Sequence, residues 1–326
     1  MKLTVIILAA GKGSRMKSLA KDYSKVSFPI LGVPVVEYVV NAVKSIKPND
    51  IVVIVGHGGE TTKKIVGKGA HFVWQKIQKG TGHAVLQAKK YIKNNEEDMT
   101  LVLCGDAPLI RAETLKELVN FHIQNKNDQT LLSAVVDEPH GYGRIVRDSS
   151  HNLVKVVEET DATIEQKLIK EVNTGVVIFS NPALLKGLAK LDNHNAKKEY
   201  YLTQLISIFL KNKDKVGVKI TTHPEEMDGI NDRYQLSLAR KKLQTRINRQ
   251  HMLNGVSIMD IFSDHIGPYV TIEPDTVIEP NAIIMGKTKI GKEVHIGANS
   301  YIVDSIIEDG TVIEPFSYIK NNKRIK

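Results

Sequence analysis

Isoleucine recurs every six residues at Ile266, Ile272, Ile278, Ile284, Ile290, Ile296 and Ile302, then after a one-residue slip at Ile307, Ile313 and Ile319. No α-helix has that period, and a flat sheet does not need it. Gly or Pro follows within two positions at Gly267, Pro274, Pro280, Gly286, Gly291, Gly297 and Pro315, where a tightly wound chain must turn. The pattern predicts a left-handed parallel β-helix over 255–326, three hexads to a coil, with the isoleucines stacked inside.

The amino end is organised differently. Leu3 to Leu8 is a β-branched and leucine run with little alternation, as in a strand covered on both faces of a parallel sheet. It breaks into Ala9-Ala-Gly-Lys-Gly-Ser-Arg15. Gly11 and Gly13 remove side chains where backbone N–H groups can turn toward an anion, and Lys12 and Arg15 add charge. A strand, a glycine loop and cations in that order suggest a nucleoside triphosphate. The spacing is neither that of the Walker loop nor that of the dinucleotide fingerprint.

From residue 1 to about 125, apolar runs (51–55, 72–74, 101–103) alternate with helical patterns (35–46, 62–66, 83–92, 114–123). This predicts βαβ units and a parallel sheet with helices on both faces, with ligands beyond the carboxyl ends of the strands. Gln75 and Gly80-Thr-Gly-His83 follow the third run. Asp106 follows the fourth, in Gly-Asp-Ala-Pro, where it is either a turn cap or a metal ligand. Strand-like stretches at 131–136, 143–147, 153–157 and 172–179 predict a second lobe, with Gly143, Glu158 and Asn173 at its strand ends. Helices are expected at 182–191 and 200–210, a strand at 216–220 and a long helix from Tyr234 to about Leu253. Asn231 or Asp232 would cap that helix, and Asn231 is also a candidate second oxygen ligand for Mg²⁺ opposite Asp106.

At 326 residues with 42% apolar content, the expectation is one large domain and a smaller one. The divisions are 1–230, a linker helix 231–254, and the coil 255–326. The single cysteine, Cys104, excludes an internal disulfide and fits a reducing cytosol. No segment approaches the ~20 apolar residues of a membrane span, and Leu3 to Ala10 lacks a cleavage site, so a cytoplasmic protein without a membrane partner is expected. The formal charge of +9 raises the question of nucleic acid. Yet the basic clusters at 240–242 and 323–326 have no interleaved aromatics for stacking bases, so surface lysine and attraction of anionic small substrates are the reading taken.

The string Leu8-Ala-Ala-Gly-Lys-Gly-Ser-Arg-Met16, with Lys25 and Pro29 following, closely resembles the signature of sugar-1-phosphate nucleotidyltransferases. With the hexads, the order of parts resembles the bifunctional bacterial N-acetylglucosamine-1-phosphate uridyltransferase/glucosamine-1-phosphate acetyltransferase family. The resemblance implies an α/β, Rossmann-like nucleotidyltransferase domain with a mixed, mostly parallel sheet, followed by the short left-handed β-helix. It implies uridylyl transfer from UTP to N-acetylglucosamine-1-phosphate with Mg²⁺, and a homotrimer. Residue by residue it places the phosphate loop on Leu8, Ala9, Ala10, Gly11, Gly13 and Arg15. The α-phosphate lysine falls on Lys25, the uracil contact on Gln75, Gly80 and Thr81, the metal pair on Asp106 and Asn231, and the sugar contacts on Gly143, Glu158, Asn173 and Asn231. Arg15, Lys25 and Asp106 are the expected catalytic groups.

Three positions depart from the family pattern: Cys104 stands where an aromatic is frequent, Val33 interrupts Gly-Lys-Pro, and Asp232 replaces a second Asn. The resemblance covers this chain but not the region where the family places its acetyltransferase histidine and acetyl-CoA site, so no acetyl transfer is expected. His295 is read as a surface or inter-coil residue. The competing readings are a sister enzyme for glucose-1-phosphate or another base, a non-catalytic relative, and an acyltransferase built on the coil.

Overall fold

A computed structural model describes residues 1–19, 22–195 and 197–322, and divides the chain into two compact units. The first comprises Met1–Phe28 and Val35–Asp232, and the second Pro29–Pro34 and Arg233–Lys326.

The first unit is built on a nine-stranded sheet. Its main path runs Val216–Ile220, Gln129–Val135, Glu171–Ser180, Met99–Cys104, Leu3–Ala9, Asp50–Val55, His71–Trp74. Leu3–Ala9 lies between parallel neighbours, Val5 opposite both Ile51 and Leu101. Its side chains serve both faces: Val5 and Ile7 join one core cluster and Ile6 the other, all at 0% exposure. This explains the unalternated run, since a strand buried twice has no polar face. Glu171–Ser180 runs antiparallel to Met99–Cys104 and to Gln129–Val135, which makes the sheet mixed. It also pairs with Gly143–Arg147, which in turn pairs with Leu153–Val157, forming the second lobe.

The second unit carries the hexads as three parallel ladders, for example Ile266 opposite Ile284 and Ile284 opposite Ile302. Every isoleucine of the repeat is at most 9% exposed, the column expected of a left-handed parallel β-helix. The slip after Ile302 leaves the pairing of Ile290 with Ile307 intact, and Asp304 takes the same left-handed conformation (φ 48°) as Asn281, Glu293 and Asn299 at other corners of the coil. The helix Arg233–Leu253 docks on the first coil through buried amides. Asn248 Nδ2 donates to the carbonyls of Ile261 and Asp264, both at 2.9 Å, and Gln244 Nε2 donates to that of Ile266 at 3.3 Å. The basic cluster at 323–326 lies outside the described residues.

Candidate active site

A cavity of about 560 Å³ opens at the carboxyl ends of the parallel strands. Leu8, Ala10, Gly11, Lys25, Gln75, Gly80, Thr81, Asp106 and Glu158 all reach it. A second, smaller cavity of about 160 Å³ shares Leu8, Thr81 and Glu158 and adds Asn173. Gly143 pairs with Asn173 across the strands, and a Cβ on Gly143 would lie 3.5 Å from Glu158 Oε2, so the three sugar-side candidates meet. Ala9 is 2% exposed and packs into the core.

The glycine loop has a structural job that the sequence does not announce. Gly13 sits at φ 63°, and a Cβ there would lie 2.7 Å from Lys25 Cβ and 3.2 Å from Lys25 N. The loop therefore presses on the backbone that carries Lys25. That backbone is anchored from behind: Ser24, fully buried, shares hydrogen bonds with Ser27 Oγ (3.0 Å) and Thr62 Oγ1 (3.2 Å). Lys12, Gly13, Ser14, Lys17, Lys25 and His57 border a further hollow of about 320 Å³. Arg15, by contrast, stands exposed on the turn Ser14–Met16 and lines none of these cavities.

Lys25 Nζ bridges the two oxygen groups assigned to a metal. It is ion-paired to Asp106 Oδ2 and donates to Asn231 Oδ1 at 3.0 Å. The Asp106 carbonyl also receives Ile230 N–H at 2.9 Å, which ties the 229–231 loop to the strand end. Asp106 and Asn231 thus face one point, and a cation occupies it. Nearby, burial pushes the Cys104 thiol up to about 12; the Asp106 carboxylate adds to the shift and the Lys25 ammonium opposes it. Cys104 is therefore a neutral lining group and not a nucleophile. Burial, with Asp228 and Asp106, also raises the Tyr142 phenol.

The sequence reading missed the loop before the helix Gln204–Asn212. Expected as helix from Tyr200, residues 200–203 are non-helical and hydrogen-bonded to the 79–82 segment. Tyr200 N donates to Lys79 O and Gly82 N to Tyr200 O, both at 2.8 Å, and Leu202 N donates to Thr81 Oγ1 at 3.0 Å. The pairing brings Lys197, Glu199 and Tyr201 to the cavity and lets Thr203 Oγ1 donate to Glu158 Oε1 at 3.0 Å. Also missed is Arg144, 1% exposed, whose Nη2 meets Glu159 Oε2 at 2.8 Å. The same Glu159 oxygen accepts Gly141 N–H at 3.1 Å and holds the 141–143 turn against the cavity. The adjacent aromatics Tyr200 and Tyr201 were the available signal for the first; an arginine in a strand gave none for the second.

A glycine-looped cavity at the carboxyl edge of a mostly parallel sheet, joined in one chain to a hexapeptide coil, defines a nucleotide-handling transferase. Residues 4–222 match the family model described as Nucleotidyl transferase, and 269–304 match Bacterial transferase hexapeptide (six repeats). The chain is 45% identical over 309 residues to the Bifunctional protein GlmU of Caldanaerobacter subterraneus subsp. tengcongensis, covering 95% of this chain and 66% of that one. It is 44% identical to that of Thermoanaerobacter pseudethanolicus, covering 99% and 70%, and 44% to that of Streptococcus sanguinis, covering 94% and 66%. The chain belongs to the nucleotidyl transferase family and, within it, to the GlmU proteins. It spans about two thirds of the length of these curated relatives.

Proposed function

We propose that the first unit transfers a uridylyl group from UTP to N-acetylglucosamine-1-phosphate, releasing pyrophosphate. The observation that carries the reading is the Lys25 ammonium held between Asp106 and Asn231 at the floor of a cavity that also contains Gln75 and Glu158. The attacking phosphate oxygen is already anionic near neutral pH, since a phosphomonoester's second pKa is ≈ 6, so no general base is required. The residues have to align two anions and offset charge on the α-phosphoryl and the leaving group. Lys25 supplies a fixed cation at the glycine loop, and Arg15 a second one if the turn 14–16 moves inward. Glu158, Asn173 and Gly143 present acceptors and backbone to sugar hydroxyls, and Gln75 with Gly80 and Thr81 presents an edge to the base.

A carboxylate and an amide oxygen converging on one cation fit a hard divalent ion, which takes one or two protein oxygens and completes its shell with water and phosphate. Mg²⁺ held by Asp106 and Asn231 would neutralise phosphate charge there.

The coil is proposed to assemble the chain as a homotrimer, supported by outward apolar side chains at Tyr301, Ile306, Val312 and Tyr318. It is proposed to carry no acetyl transfer in residues 255–326, where the His295 imidazole is engaged by Glu279 at 2.8 Å. No helix among the described residues is long and apolar enough to cross a membrane, in keeping with the cytoplasmic setting we propose. Pyrophosphate release across a panel of nucleoside triphosphates and sugar 1-phosphates tests the central reading; failure of UTP with N-acetylglucosamine-1-phosphate to lead that panel would refute it. Light scattering and a thiol-release assay with acetyl-CoA test the other two: a monomer, or measurable acetyl transfer, would refute them respectively.

A further inference from the structure

Gln75 is 4% exposed, and its amide is already half engaged. Nε2 lies 3.0 Å from the Gly80 carbonyl and 3.0 Å from His83 Nδ1. A carbonyl accepts only, so the atom facing it is the NH₂ group, and a half-turn of the amide would set oxygen against oxygen. The second amide proton then goes to Nδ1, which must present its lone pair. Burial, and after it the charge of Lys79, lower the pKa of His83, which keeps the ring neutral and able to accept. The other ring nitrogen carries the proton; Gln87 Nε2, 3.2 Å from it, donates to the His83 carbonyl at 3.2 Å. The ring is steadied by its tilted contact with Tyr200, centroids 6.3 Å apart, in the loop that zips onto residues 79–82. With both protons of Nε2 committed, Oε1 is the part of Gln75 left for a ligand, and among the described residues no donor reaches it.

We infer that His83 is a positioning residue that fixes the Gln75 amide with its oxygen toward the nucleotide, so that the site selects uracil over cytosine. Uracil offers an N3–H that donates to Oε1. Cytosine has a lone pair at N3, which Oε1 repels. The inference rests on the proposed reading that the base of the nucleotide sits beside Gln75. It goes beyond that reading in assigning the base preference to a side chain that touches neither substrate nor phosphate.

The test is calorimetric binding of UTP and of CTP to the full chain with Mg²⁺, without sugar phosphate, for the wild type, His83→Phe and His83→Asn. Phe keeps a ring against Tyr200 and deletes the acceptor; Asn keeps an acceptor near the position of Nδ1. The wild type is expected to bind UTP about 10-fold or more tighter than CTP, the discrimination expected of one hydrogen bond replaced by a repulsive contact. His83→Phe should bring the ratio within about 3-fold, mainly by weakening UTP, and His83→Asn should restore it. A purely structural role would weaken both nucleotides equally. That result, or a UTP preference that survives in His83→Phe, overturns the inference and leaves the proposed activity standing. A wild type that binds both nucleotides equally overturns it as well, and one that binds neither overturns the proposed function with it. Should His83→Phe fail to fold, His83→Leu carries the same comparison.

Discussion

Lys25 and Asp106, 81 residues apart in the chain, form an ion pair at the floor of the cavity, and Asn231 completes the lysine's contacts. The proposed metal would need the same carboxylate. The two could be held only in succession, and Lys25, once displaced, would be free to meet phosphate.

The first prediction follows from that succession. Asp106→Ala should lower turnover by ~10² or more, as expected when an electrostatic group at developing charge is removed, with the fold intact. Lys25→Ala should lower kcat as well as raise KM. The two losses should be non-additive, the double variant losing less than the product, because each residue acts through the other. Independent losses in a steady-state double-mutant cycle would show that the pair is not a functional unit.

Gly13→Ala tests the loop. At φ 63° an added Cβ is strained, and at 2.7 Å from Lys25 Cβ it must displace that residue. The expected outcome is a fall in kcat/KM of about 10²-fold or more, since small misplacements of catalytic groups cost that much. Stability should fall by about 1–3 kcal/mol for the strained backbone. Activity kinetics and thermal unfolding together check this, and Gly67→Ala, a positive-φ glycine with open space around its Cβ, is the control for strain alone.

Glu159→Ala should act on the sugar side. It removes the partner of the buried Arg144 guanidinium and of Gly141 N–H. The guanidinium keeps the Tyr142 and Lys167 carbonyls as acceptors, so the variant should still fold, with a lowered unfolding temperature. KM for the sugar phosphate should rise several-fold more than KM for UTP, because the 141–143 turn belongs to the second lobe. Equal increases would place the effect elsewhere.

The coil should have its own pH response. Asp264 is fully buried, with Oδ1 accepting Ala282 N–H at 2.7 Å and Oδ2 without a partner. Burial raises its pKa to about 6 from 3.8; the Ala282 N–H opposes the shift and Asp260 adds to it. The folded state thus keeps a proton that the unfolded chain has lost. The stability this supplies is full below pH 3.8 and is lost as pH rises through 6, up to about 3 kcal/mol for two units. Asp264→Asn should therefore unfold later than wild type at pH 7 and at nearly the same temperature at pH 4. In the first unit, His122 works in the opposite sense. Its pKa, lowered to about 4 mainly by burial, makes the fold lose stability as pH falls below 6.5.

What could be read in advance divides along sequence distance. The isoleucine column was legible because one burial rule repeats every six residues, and Ile266 to Ile319 obey it singly. Leu3–Ala9 was legible because burial on both faces leaves an unbroken apolar run. Glu158 and Asn173 line one cavity, the first just beyond the strand Leu153–Val157 and the second near the start of Glu171–Ser180. The cavity wall from 197 to 203 was not legible, since Tyr200 is non-helical and bonded there to the distant Lys79 and Gly82, while its local pattern reads as helix. Arg15 could be recognised as a charge on a glycine loop, but its exposed position depends on the turn that follows Gly13. The orientation of Gln75 was undetermined in the sequence because the amide looks alike both ways; Gly80 O and His83 resolve it.

Pro29–Pro34 belongs to the second unit although the segments on either side of it belong to the first. Ile30 and Leu31 of this hairpin are 0% and 6% exposed, and a Cβ on Gly32 would lie 3.4 Å from Met285 Cε in the coil. The polypeptide therefore passes between the units three times, after Phe28, before Val35 and after Asp232. One peptide cut cannot separate them. A fragment stopping at Asp232 would carry a small orphaned hairpin with its greasy side bare, a ready seed for sticking to other copies, while a fragment starting at Arg233 would lack a plug. Exchange of residues 233–326 alone for another coil would leave Pro29–Pro34 without the unit it belongs to.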